Sequence, residues 1–101
     1  MAEVACNIVR FVDDSFPRWV EARLVDADGT AWTFEDKVPI FTTGDLRSDT
    51  EYPVPAAIRC MVIETDVAAA RTLIDTSQPD GVTSTDGTRT RFWVSSQLLK
   101  Q

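Results

Sequence analysis

The chain contains no histidine. The commonest general base and the commonest neutral metal ligand are therefore missing, and no Ser-His or Cys-His nucleophile can be assembled. Lysine chemistry would have to run through Lys37 or Lys100. Lys37 follows Glu35 and Asp36, a setting that keeps an amine solvated and charged rather than activated. Carboxylates are plentiful, and Asp13 with Asp14, or Asp26 with Asp28, could form an acid/base pair if one member were desolvated in a cleft. The turn Asp26-Ala27-Asp28-Gly29 lacks the ligand order and the distant Glu of a calcium loop. Asp75, Ser77 and Asp80 likewise have no recognised metal spacing. None of the four glycines falls in a phosphate-binding pattern. Cys6 and Cys60 have no Cys-x-x-Cys spacing and read as small hydrophobes on strands. The expectation is a protein without a catalytic centre, metal or cofactor, and an enzyme acting through carboxylates ranks last.

Two groups of residues survive this elimination as contact chemistry. Arg89, Arg91 and Trp93 alternate in "TRTRFWV", and Trp19 stands with Arg18 and Lys37 on "PRWVEARLVDADGTAWTFEDK". An aromatic ring flanked by cations on a face turned away from the core can stack on a peptide, a base or a partner's ring. The competing structural account covers Trp93 with a loop or the C-terminal segment, and lays Trp19 over Lys37 as a cross-strand pair.

These residues are positioned by strands. The residues 4–12, "VACNIVRFV", are rich in β-branched side chains and read as a first strand. In "DADG", Asp26 can bond back to the backbone and Gly29 can take positive φ, which suits a turn closed by a bulge. That turn predicts the pairs Leu24 with Trp32, Ala22 with Phe34 and Val20 with Asp36 on an apolar face. Trp19, Glu21, Arg23 and Val25 then oppose Lys37, Glu35, Thr33 and Ala31 on the other face. A register shifted by one would mix charge into both faces. Residues 42–57 hold two prolines and no alternation, which predicts a long loop with a short helical turn near Asp45 and Leu46. "IRCMVIE", 58–64, is apolar on both parities and predicts a central strand covered on two sides. A further strand follows at 71–76. The stretch 82–94 repeats the turn device at Ser84-Thr85-Asp86-Gly87, so Val82 should face Thr90, with Arg89, Arg91 and Trp93 outward. The end, "SSQLLKQ", reads as a short helix or a frayed tail.

With 101 residues, 44% apolar and 26% charged, the chain fits one globular domain spanning 1–101. Six or seven short, mostly antiparallel strands with close turns predict an all-β fold, a small barrel or sandwich with one short helix at most. Ten basic against sixteen acidic residues leave a net charge of −6. Such a surface repels nucleic acid and anionic lipid and suits docking to a protein partner. No run of apolar residues reaches membrane-spanning length, and the Met-Ala-Glu start lacks a leader pattern, so the expected location is cytoplasmic.

The segments "FPRWVEARLVDADG", "FEDKVPIFT", "YPVPAAIRC" and "DTSQPDGVTSTDGTRTRFWV" together resemble a group of small bacterial β-barrel proteins, with a barrel like the second domain of translation elongation factors. The resemblance runs from Phe16 to Val94. It implies a barrel fold and carries over no catalytic or ligand residues. In translation factors such a barrel docks beside a nucleotide-binding domain, which is absent from this chain together with its phosphate loop. The leading expectation is a non-catalytic protein-docking module using Trp93, Arg91, Arg89, Trp19, Arg18 and Lys37. The alternative is a small-ligand or single-stranded nucleic-acid binder on the same aromatic strand face.

Overall fold

Asp26 and Gly29 close the first hairpin as their chemistry dictates. Gly29 takes a φ of 82°, and Asp26 Oδ1 accepts the backbone N–H groups of Asp28 and Thr30, each at 2.9 Å. Strand β2 (Trp19–Val25) then runs into β3 (Ala31–Lys37) in the bulged register, with Leu24 opposite Trp32, Ala22 opposite Phe34 and Val20 opposite Asp36. The hairpin is the piece of the fold that local sequence fully determines.

The computed structural model describes residues 1–101. The remaining strands are β1 (Ala2–Asp13), β4 (Val54–Asp66), β5 (Arg71–Asp75), β6 (Arg91–Ser95) and β7 (Leu99–Lys100), with one helix, α1 (Val38–Phe41), and a 3₁₀ turn at Ser96–Leu98. The strands form a single sheet in the order β3-β2-β1-β4-β5-β6, with β7 beside β1. Every pairing is antiparallel. The sheet curls into a half-barrel. Strand β4 forms its bend, because Val54–Cys60 pairs with β1 while Met61–Asp66 pairs with β5. No helix is long and apolar enough to cross a membrane.

Alternation selects what goes inside. Along β1, Ala2, Val4, Cys6 and Ile8 are buried while Glu3, Ala5 and Asn7 face solvent. They join one continuous core of 17 residues that includes Phe34, Ile58, Ile74, Phe92 and Val94. Burial of each large side chain contributes about 1.5–3 kcal/mol. Desolvation in this core pushes the Cys6 thiol up to about 12 and, together with the charge of Glu3, the Cys60 thiol up to about 11, so both stay protonated and inert.

The two edge strands approach each other without forming a ladder. Ala27 N–H donates to the Trp93 carbonyl at 2.8 Å and Thr85 N–H to the Thr33 carbonyl at 2.7 Å. Behind these two bonds, the Phe92 ring lies 5.5 Å from both Trp32 and Phe34. The seam is thus closed by turns and aromatic packing, which shields backbone edges that would otherwise template aggregation.

Several expectations need correction. The strand predicted at 58–64 extends over Val54–Asp66, so the loop of 42–57 is shorter than predicted, and the helical turn sits earlier, at Val38–Phe41. Pro55 suggested loop, yet it stands in the ladder opposite Asn7. No strand pairs on the β5 side of β4 at that point, so a residue without N–H is tolerated there. Met61 and Ile63 are 44% and 38% exposed, so β4 is covered on one side only. The tail takes the short helical form at Ser96–Leu98, as one of its two readings had it, and instead of fraying beyond it pairs with Glu3 and Val4 as β7. Val82 does not face Thr90. Its N–H donates to the Thr76 carbonyl, and Thr76 N–H donates to the Thr90 carbonyl at 2.8 Å, because β5 takes the place beside β6.

Candidate functional site

The sheet has two differently built outer faces, and the predicted contact residues are divided between them. On β2 and β3, Trp19 is paired with Lys37, whose ammonium lies 5.7 Å from the indole centroid. Arg18 adjoins them with a φ of 70°, a left-handed backbone that costs a non-glycine residue about 1–3 kcal/mol. Its surroundings hold it there. Arg18 N–H donates to the Ser15 carbonyl at 2.6 Å, and the guanidinium reaches Asp14 and Asp45, each at 3.1 Å. Arg18 therefore fastens the β1–β2 connection to the loop after α1, and all its charge is used locally. Further along this face Arg10 pairs with Glu21 at 3.2 Å, and Glu21 lies opposite Glu35. It is a mixed, charged, solvated surface.

Arg89 lies apart from Arg91 and Trp93. The turn at Ser84 closes with Ser84 N–H donating to the Arg89 carbonyl at 2.9 Å, one residue later than the corresponding bond of the first hairpin. Strand β6 begins only at Arg91. Freed from alternation, Arg89 folds back, donates from Nε to the Arg91 carbonyl at 2.8 Å, and sits 4.6 Å from the Trp32 centroid and 5.2 Å from that of Phe92. Beside it, Trp32 Nε1 donates to Asp26 Oδ2 at 2.8 Å. Burial opposes the charge of Asp26, yet the Trp32 indole, the Thr30 and Asp28 amides and the Arg89 cation outweigh it and hold the carboxyl below its ordinary 3.8. Arg89 belongs to the barrel seam.

The outer face of β4, β5 and β6 has a different composition. In β5, Thr72 and Ile74 point to the core, which turns Arg71, Leu73 and Asp75 outward. Leu73 lies opposite Trp93 on one side and Glu64 on the other, with Ile63 the extra residue of a bulge in β4. Leu73 and Trp93 are half-buried. With exposed Met61 and Ile63 they place four apolar side chains on three neighbouring strands, a row interrupted by Glu64 opposite Leu73 and by Asp75 opposite Met61. Asp75 stands opposite Met61 and Arg91 at one end of the row, and Arg71 stands opposite Asp66 and Ser95 at the other.

The two flanking cations are not equivalent. Arg91 Nε donates to Asp75 Oδ2 at 3.1 Å. Asp75 Oδ1 also accepts from Ser77 Oγ at 2.6 Å and from Ser77 N at 2.8 Å. The Ser77 hydroxyl, and then the Ser77 amide, Arg91 and Thr90, outweigh desolvation and hold the Asp75 carboxyl below its ordinary value. Arg71 instead stacks on Trp93, with Cζ 4.8 Å from the ring centroid. None of the six ion pairs includes it, and its Nε is buried without a hydrogen-bond partner.

Of the predicted residues, then, only Trp93 and Arg91 stand together on an outward face with apolar neighbours. Arg71, Leu73, Met61 and Ile63 were missed. The signal for Met61 and Ile63 was present in "IRCMVIE", where apolar residues on both parities permit either two-sided burial or an exposed apolar row. Clefts of about 500, 330 and 300 Å³ lie elsewhere, and none is lined by Leu73 or Trp93. The face is a surface rather than a pocket. In comparisons with known proteins, no protein family, no curated protein and no solved structure matches this chain.

Proposed function

We infer that the protein is a non-catalytic docking module that holds a protein partner on the outer face of β4, β5 and β6, centred on Trp93. One observation carries this reading. Apolar side chains reach solvent side by side there, Met61 at 44% and Ile63 at 38% exposure, next to half-buried Leu73 and Trp93 and between Arg71 and Arg91. Exposed apolar side chains rimmed by charged residues, here Arg71, Arg91 and Glu64, are a common composition of an interaction surface, and Trp and Arg are the residue types most often decisive there.

The nucleic-acid alternative has less support. Its platform needed Arg89 beside Arg91 and Trp93, and Arg89 lies over Trp32 instead, while the net charge of −6 opposes phosphate backbones. The docking reading is tested by affinity purification with the wild type, Trp93→Ser and Trp19→Ser, each checked for folding. The dissociation constant of each captured protein is then measured in isolation. A partner whose binding weakens at least about thirtyfold with Trp93→Ser, equivalent to about 2 kcal/mol, and is unchanged with Trp19→Ser supports it. Equal binding to all three proteins overturns it.

A further inference from the structure

Resting on that reading, the structure also points to the chemistry of the partner. We propose that the face receives an extended protein segment presenting a carboxylate to Arg71 and, two residues away, an apolar side chain to Leu73 and Ile63. The argument starts from which charges are already satisfied. Around the row, Arg91 is paired with Asp75 at 3.1 Å and Arg59 with Asp80 at 2.6 Å. Arg71 has no carboxylate within 4.0 Å, although Asp66 lies directly opposite it in the ladder. Asp66 is engaged elsewhere, its Oδ1 accepting the Ala69 N–H at 3.1 Å.

A guanidinium lying over Trp93 and bound to no carboxylate is oriented but incomplete, and because its Nε is buried its terminal nitrogens are the ones a partner can reach. Stacking uses the face of the planar cation and leaves its donor edge for in-plane hydrogen bonds, for which a carboxylate is the geometric match. Leu73 and Ile63 beside the stack accept aliphatic side chains. In an extended segment, residues two apart share a face. The pattern acidic-x-apolar, in either chain direction, thus sets one carboxylate against Arg71 with an aliphatic group over Leu73 and Ile63. Because the chain as a whole is acidic, long-range attraction does not draw such a segment in, and recognition depends on this local pairing.

The test uses the isotope-labelled full chain and follows the side-chain N–H signals of Arg71 and Trp93 by NMR. Two probes are titrated, acetyl-Leu-Thr-Glu-Thr-Leu-amide and the same peptide with Gln in place of Glu. The expected result is saturable movement of both signals with the Glu peptide and an apparent affinity at least about fivefold above that of the Gln peptide. Arg71→Gln should remove the difference between the peptides; if that variant does not fold, Arg71→Lys, which keeps the charge but not the planar edge, should reduce it. Equal response to both peptides overturns the carboxylate inference and leaves the docking surface standing. No response to either overturns the inference as well, and the Trp93→Ser capture experiment then decides the docking reading separately. Arg71 and Trp93 signals that move with protein concentration alone would make a second copy the occupant and would also overturn it.

Discussion

The two outer faces of this sheet come from the same alternation and differ in what it leaves outside. Across β1, β2 and β3 the outward positions hold Arg10, Glu21, Arg23, Glu35 and Lys37, of which Arg10 pairs with Glu21 and Lys37 lies over Trp19 while Arg23 and Glu35 make no ion pair. Across β4, β5 and β6 they hold Met61, Leu73 and Trp93, with one arginine paired and the other without an acid. The first face is mostly charged and solvated, with Val25 its one large exposed apolar side chain. The second exposes apolar area beside an arginine that makes no ion pair, which a partner would cover. A tryptophan with a nearby cation occurs on both, as Trp19 with Lys37 and Trp93 with Arg71. The pair by itself therefore distinguishes nothing, and its neighbours decide.

The comparison can be broken most directly at the core beneath both faces. Phe92 touches Trp32 and Phe34 across the seam, so Phe92→Ala should cost about 3–5 kcal/mol in urea unfolding, with β3 and β6 losing hydrogen-exchange protection together. A cost under about 1 kcal/mol would mean that the two halves do not share one core.

Next in size is the Asp26 turn. Asp26→Ala leaves the Trp32 indole and two amides without their acceptor and should cost about 1–2 kcal/mol. Asp86 serves the second turn through Ser84 and Thr88 but is more exposed, and Asp86→Ala should cost less. The carboxyls of Asp26 and Asp75 are held below 3.8 in the folded chain. A depressed folded value means that the stabilisation is complete above 3.8 and is lost as pH falls below 3.8 through the folded values. The urea midpoint of the wild type should therefore drop in that window, and Asp26→Asn should flatten the drop.

The smallest effects belong to the faces themselves. Met61→Thr, on the apolar row, and Glu35→Lys, which replaces the Glu21 and Glu35 repulsion by an attraction, should each change stability by no more than about 0.5 kcal/mol, with Glu35→Lys on the stabilising side. A large loss from Met61→Thr would mark the row as part of the core packing and weaken its reading as a contact surface.

How much of this was legible varies along the chain. The first hairpin was legible to the residue, because Gly29 fixes the bulge and a register shifted by one mixes charge into both faces. The outward direction of Arg91 and Trp93 was legible from their alternation with the apolar Phe92 and Val94, not from the second turn, whose expected Val82–Thr90 pair does not form. Arg89 was not, since parity applies only within a strand and β6 starts two residues later. Arg71 was hidden because its significance lies in an absence, an acid that is opposite in register but engaged by Ala69. Pro55 misled because the cost of a missing N–H depends on whether a neighbouring strand needs it.

By itself, then, the sequence determined the all-β class, the β2–β3 register and the inward set of apolar residues, since these follow from side-chain period and turn chemistry between near neighbours in the chain. Tertiary structure alone decided that β5 rather than the segment around Val82 borders β6, that the seam closes through turns and rings, and that Met61 and Ile63 remain uncovered. Period distinguishes two faces of a strand, but only the packing of distant segments settles which face is buried.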